Sequence, residues 1–492
     1  MEPLVRVTGG LVRGSVTDGV AAYLGIPYAA PAVGPARYLP PQPVRPWAGE
    51  RDATRHGPTS DQLPYPPPLD AILASSVDPG DDYLNVAVWA PADGGGGLPV
   101  MVWVPGGAFV RGANSIPTYD GSAFARDGII LVGVNYRLGV PGFGVLDGGT
   151  TNLGLRDQIA ALEWVRDNIA AFGGDPDRVT IFGESAGGMS VATLLASPAA
   201  RGLFHRAIIQ SGGATSVATV DDARRVTAEI ATALGVPPTA EAFAAADPGA
   251  VLAAWATVAL ALQQNPDPSR WGASVLRGGL GIMSVFPVVD GDLVPDIPLH
   301  RIAQGCAADI PLLVGYTSEE FRLFAVPVGL AASITAATLP LFGARLGWPA
   351  GAIETYAANR PSATPGDLAC AILTDSAFRV PAGDLAASQS EAGGTVFQYE
   401  FAWRTPVAGL GAAHAVELAF VFDTLAQAGP MVGTAPPQPL ADEVHAAWVA
   451  FGASGDPGWA RWSPHTPSVR VFDVAGPAVV VGPRSDELAL WR

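Results

Sequence analysis

Residues 178–196 read RVTIFGESAGGMSVATLLA, an apolar β-strand pattern that passes into a helical one across a single Gly-x-Ser-x-Gly turn. The run 178–183 is short and β-branched, of the sort buried in a parallel sheet, and 186–196 begins a helix at once. Ser185 must therefore sit on a sharp strand-to-helix turn, with small residues beside it because the strained backbone leaves no room for larger ones. The N-terminus of the helix places free N–H groups and positive dipole next to the serine, where negative charge on a reacting oxygen would be stabilised. The pattern predicts an exposed nucleophile at the carboxyl end of a buried strand.

The neighbouring sequence has the same rhythm. Strands are expected at 84–89, 98–104 and 128–136, and again at 205–213, 310–316 and 395–401. Residues 152–174 follow helical spacing, with Leu155, Ile159, Leu162, Val165 and Ile169 on one face and Gly173-Gly174 as the stop. A further helix is expected around 440–451. Alternating strand and helix predicts an α/β fold, a mostly parallel central sheet flanked by helices on both faces. Residues 220–350 break the alternation. They are Ala-rich and helical in tendency, and read as an insertion over the active site within one domain spanning 1–492. Pro and Gly punctuate 27–46 and 63–82, which read as surface connections.

Composition removes several classes of function. The net charge is −17, against the clustered cations that nucleic acid requires. All 28 basic residues are Arg, so Schiff-base and Ser-Lys chemistry is excluded. Two isolated cysteines, Cys306 and Cys370, build neither a disulfide framework nor a thiolate metal site. No apolar run reaches the length of about 18 residues that a membrane helix needs, and the N-terminus lacks the pattern of a secretory signal. A monomeric cytoplasmic enzyme acting on a small molecule, without metal or organic cofactor, is the expectation.

A second Gly-rich segment, Val104-Pro105-Gly106-Gly107-Ala108-Phe109, comes at the end of the strand expected at 98–104. Glycines there let backbone N–H groups approach an acyl oxygen without a Cβ in the way. Gly106 and Gly107, together with Ala186, are the candidate oxyanion hole.

Ordered segments along nearly the whole chain resemble the type-B carboxylesterase family, in its bacterial para-nitrobenzyl-esterase-like branch, and at finer grain actinobacterial carboxylesterases. They include GIPYAAPAVGPARY (25–38), NYRLGVPGF (135–143), the block 152–188, RGLFHRAIIQSG (201–212), FPVVDGDLVPD (286–296), HAVELAFVF (414–422) and FGASGDPGWARW (451–462). The resemblance implies an α/β-hydrolase fold and a serine esterase. It aligns Gly315 to Glu320 with the loop that carries the family's acid, which implies Glu320, with Glu319 as the rival one residue earlier. It aligns Gly411-Ala412-Ala413-His414 and Glu417-Leu418 with the family's histidine motif, which implies His414 as the general base. The chain order Ser185, Glu320, His414 agrees with the nucleophile–acid–base order of this fold. The other histidines are less well placed: His205 is close to the serine in sequence, His445 reads as helical, and His56, His300 and His465 fall in Pro-rich loops.

The resemblance also implies buried ion pairs between Arg137 and Asp157 and between Arg37 and Asp81, and a place for Glu184 in a hydrogen-bond network under the serine. The chain departs from the family at two points. Pro105 stands where the oxyanion loop usually begins with His, and Tyr83 where many relatives have a disulfide cysteine. A functional hole is expected despite Pro105. Phe109, Phe143, Phe286, Phe321, Phe324 and Phe420 lie near these segments, as pocket lining or as core. The family expectation for substrate is a short or medium acyl chain or an aromatic ester. Two alternatives stay open on the residues alone: a non-catalytic cholinesterase-like binding protein, and an amidase, lactonase or lipase.

Overall fold

The computed structural model describes residues 2–407, 409–476 and 478–492. Eleven strands form its central sheet, named here in chain order. They are β1 (Ser15–Thr17), β2 (Val20–Pro27), β3 (Asn85–Pro91), β4 (Leu98–Val104), β5 (Ile130–Val134), β6 (Gly174–Glu184), β7 (Arg206–Gln210), β8 (Leu312–Thr317), β9 (Val396–Phe401), β10 (Ser468–Phe472) and β11 (Ala478–Val481). Their spatial order is β11-β10-β9-β8-β7-β6-β4-β5-β3-β2-β1. The run from β5 through β4 and β6 to β10 is parallel. Antiparallel strands border it at both ends. The fold is the expected α/β type with a mixed, mostly parallel sheet.

Alternation along β4 shows why this sheet is buried on both faces. Val100, Val102 and Val104 enter one apolar cluster, whereas Met101 and Trp103 enter the other. Helix α1 (Leu153–Asn168) packs Leu155, Ile159, Leu162 and Val165 into the first cluster, as does α2 (Ala186–Ala196) with Met189, Val191 and Leu194. Helix α3 (Gln438–Ser454) covers the opposite face with Leu440, Val444, Trp448 and Phe451.

Several expectations need correction. The strand β8 is the one expected at 310–316, within the range 220–350, and helices lie both before it and between β8 and β9. The edge strands β1, β2, β10 and β11 were not expected, and neither was a small sheet formed by 4–7, 10–13 and 50–52. His300 lies in a short helix, 298–303, rather than in a loop. Arg137 and Asp157 form the expected pair, fully buried and two-pronged, with Nη2–Oδ1 at 2.6 Å and Nε–Oδ2 at 2.8 Å. Arg37 and Asp81 do not pair. Asp81 is exposed, its neighbour Asp82 takes Arg51 at 2.6 Å, and Arg37 donates to the Ala246 carbonyl instead. Tyr83 is buried and donates its hydroxyl to the Ala32 carbonyl at 2.6 Å, anchoring the chain through a hydrogen bond.

Candidate active site

The chain reverses direction across the sheet between β4 and β6: β4 connects onward to β5 on one side, β6 to β7 on the other. In open α/β sheets the crevice at such a point, beyond the carboxyl ends of the strands, is where ligands bind. The sequence-derived candidates converge there.

Ser185 follows the last residue of β6 and precedes the first of α2, with φ 55° and ψ −123°. L-residues rarely adopt this backbone, which stores about 1–3 kcal/mol of strain. The turn survives because its neighbours are small. A Cβ on Gly187 would stand 2.0 Å from the Val104 carbonyl oxygen, and one on Gly183 would stand 2.5 Å from the Gly187 carbonyl carbon. The Ser185 N–H donates to the Gln210 carbonyl at 2.9 Å, which ties the turn to the end of β7.

Beyond β4, the segment 105–109 runs alongside this turn. Gly107 has φ 116°, and Ala108 and Phe109 also lie at positive φ, 56° and 61°. A Cβ on Gly106 would be 3.2 Å from Ser185 Cβ, so the glycine permits direct contact with the serine. Among the described residues, the N–H groups of Gly106, Gly107 and Ala186 donate to no acceptor, and neither does that of Ala108. The loop is braced from outside: Tyr136 donates its hydroxyl to the Pro105 carbonyl at 2.8 Å, and Gly139 N–H donates to Phe109 O at 2.7 Å.

Glu320 lies three residues past β8 and is fully buried. Its Oε1 accepts from Ser211 Oγ at 2.6 Å and from Thr317 N–H at 2.8 Å, and its Oε2 lies 2.5 Å from His414 Nδ1. Glu319 points elsewhere. Its carboxylate takes Arg404 at 2.8 Å and the Ala412 N–H at 2.9 Å, and its own N–H donates to Ala412 O. It thereby staples the histidine loop to the acid loop, and it makes no contact with His414.

The imidazole of His414 is almost fully buried, between two carboxylates and two rings. Nε2 lies 3.0 Å from Glu184 Oε1. Phe324 and Phe378 approach with ring centroids 5.1 and 4.9 Å away. Phe378 sits on a wide π turn, 375–379, inserted in a longer helix. Burial alone would lower the His414 pKa, but the charges of Glu184 and Glu320 outweigh it and hold the imidazole well above its ordinary value. A third buried carboxyl, Glu417, accepts from Gln210 Nε2 at 3.2 Å. Burial, added to the charges of Glu184 and Glu320, pushes it up to about 8. Among the described residues Ser185 Oγ makes no hydrogen bond, and the nearest partner of His414 Nε2 is the residue before it.

Of the aromatic candidates, Phe109, Phe143, Phe286 and Phe420 are core, while Phe321 and Phe324 are half-buried, Phe324 against His414 and Phe321 against Phe324. Sequence reasoning missed Ser211 and Phe378, and gave Glu417 no role although it belongs to the motif that carries His414. Ser211 follows a strand end, which is a weak signal, and Phe378 is brought in by long-range packing. No group of His, Cys, Asp and Glu among the described residues is arranged to hold a metal ion. No helix among them is long and apolar enough to cross a membrane.

The model of the carboxylesterase family matches residues 1–474. The chain belongs to the carboxylesterase family. It is 36% identical to the para-nitrobenzyl esterase of Bacillus subtilis (strain 168), with 96% of this chain and 94% of that one covered. It is 32% identical to the phenmedipham hydrolase of Pseudarthrobacter oxydans, covering 99% and 97%. Among solved structures, the Geobacillus stearothermophilus carboxylesterase Est55 matches at a TM-score of 0.85 and 35% identity, over 99% of this chain and 100% of that one. A thermophilic PNB esterase matches at 0.86 and 33%, over the whole of both. This member of the family is a carboxylic ester hydrolase acting on small ester substrates, and its sheet is that of an α/β-hydrolase.

Proposed function

We propose that Ser185 is the nucleophile of this esterase, His414 its general base, and Glu320 the carboxylate that orients and stabilises the imidazole. The observation that carries the reading is the 2.5 Å contact between His414 Nδ1 and a fully buried Glu320, beside a serine on a strained strand-to-helix turn. With Nδ1 committed to Glu320, the neutral tautomer presents Nε2 as the proton acceptor. Nε2 faces Glu184 at rest, so it exchanges that partner for the adjacent Ser185 Oγ as the reaction begins. Catalytic hydrogen bonds often tighten only once substrate is bound.

In the first half-reaction Ser185 Oγ attacks the ester carbonyl carbon and its proton passes to His414. The N–H groups of Gly106, Gly107 and Ala186 hold the tetrahedral oxyanion, each such donor contributing about 2.7–4 kcal/mol in the transition state. Collapse expels the alcohol, which takes the proton from His414, and leaves an acyl-serine. Water then adds with His414 again as base, and the carboxylic acid departs. The rings of Phe324 and Phe378 beside His414 support short to medium acyl or aromatic esters as the substrate class. The test is Ser185→Ala, which removes only the attacking oxygen and should abolish ester hydrolysis.

A further inference from the structure

Arg111 begins four residues past Gly107 and is packed against it: a Cβ on Gly107 would stand 3.1 Å from Arg111 Cβ, and Arg111 N–H donates to Gly107 O at 3.0 Å. Its guanidinium lies over two rings, 5.3 Å from the Tyr65 centroid and 5.8 Å from that of Trp255. Such stacking holds a cation in place without neutralising it. Its Nε donates to the Pro64 carbonyl at 3.3 Å. Among the described residues it has no carboxylate partner, and both terminal amino groups are left without an acceptor. The segment that carries Tyr65 is tied to the oxyanion loop where Gln62 Oε1 accepts from Gly112 N–H at 2.9 Å. A half-buried cation without a carboxylate partner thus stands four residues along the chain from Gly107, with its stem packed on that glycine, in a chain of net charge −17.

We propose that Arg111 is a specificity-determining residue that receives a carboxylate carried by the substrate, so that half-esters of dicarboxylic acids are favoured among esters of equal length. A guanidinium fixed by two rings presents its remaining N–H pair in the planar fork that matches a carboxylate. Docking the charged end there supplies binding energy at a site remote from the scissile bond. The proposal rests on the reading of Ser185 and the oxyanion loop as the reaction centre.

The experiment compares monoethyl adipate with diethyl adipate, by pH-stat, for wild type and Arg111→Gln. The ratio of kcat/KM for the charged ester to that for the neutral one should fall by about tenfold or more in the variant, mainly through KM. The same ratio in wild type should decline as salt is raised. An unchanged ratio, including a parallel loss on both esters, would overturn the proposal and make Arg111 a brace for the loop. Should Arg111→Gln fail to fold, wild type decides the matter: adipate dianion should inhibit diethyl adipate hydrolysis competitively and adipamide should not, and equal inhibition by both would reject the idea. Failure of the catalytic reading shows separately, as hydrolysis of diethyl adipate that survives Ser185→Ala.

Discussion

Glu184 Oε1 lies 3.0 Å from His414 Nε2, on the side of the imidazole opposite Glu320, so the ring is held between two carboxylates. Both favour the imidazolium, and together they outweigh the effect of burial. General-base catalysis needs the neutral ring, so kcat/KM should rise with pH through a value above the ordinary histidine range. In Glu184→Gln one of the two charges is gone, the imidazolium is less favoured, and that rising limb should move to lower pH. A limb that stays in place or moves to higher pH would show that Glu184 does not set the charge on His414.

Glu417 gives a separate signature in stability. Its folded-state carboxyl titrates near 8 because it is buried near Glu184 and Glu320. A group raised above its unfolded value favours the folded state at low pH, and that advantage is lost as pH rises between the two values. Wild type should therefore lose stability between about pH 4.5 and 8, where the unfolded chain gives up this proton and the folded protein still holds it. Glu417→Gln keeps an acceptor for Gln210 and carries no charge. Its Tm relative to wild type should climb across that window, and a constant difference would contradict the assignment.

Pro105 opens the candidate oxyanion segment, and the Tyr136 hydroxyl holds its carbonyl at 2.8 Å from a fully packed position. Tyr136→Phe leaves that buried carbonyl without its partner, at a cost of about 1–3 kcal/mol in stability. If this bond positions the oxyanion loop, kcat should fall in the folded variant while KM changes little. Unaltered kcat with lowered Tm would reduce Tyr136 to a structural role.

Much of this architecture was legible because it rests on short-range pattern. The run 179–182 and the helix beginning at Ala186 specify the turn at Ser185 by themselves, and β4, β8 and β9 fall within two residues of their expected positions. The edge strands were not legible: β1 is three residues long and mostly exposed, so it carries no alternation to read. The choice between Glu319 and Glu320 depends on partners far along the chain, Arg404 for one and His414 for the other. The error over Arg37 and Asp81 has the same origin. Whether Asp81 or Asp82 turns inward is decided by the path of a Pro-rich loop, and periodicity says nothing about such a path. The closeness of Glu184 to His414 is likewise a product of folding, since the two are 230 residues apart.

The most direct measurement is steady-state hydrolysis of para-nitrophenyl butyrate by wild type and Ser185→Ala, with folding of both verified by circular dichroism and thermal melting. The account predicts a wild-type melt retained in the variant and kcat lowered by roughly 10⁴-fold or more, the residue reflecting the oxyanion donors and binding alone. Turnover by Ser185→Ala within about tenfold of wild type would contradict the account, because the acyl group would then have to be carried by some other group.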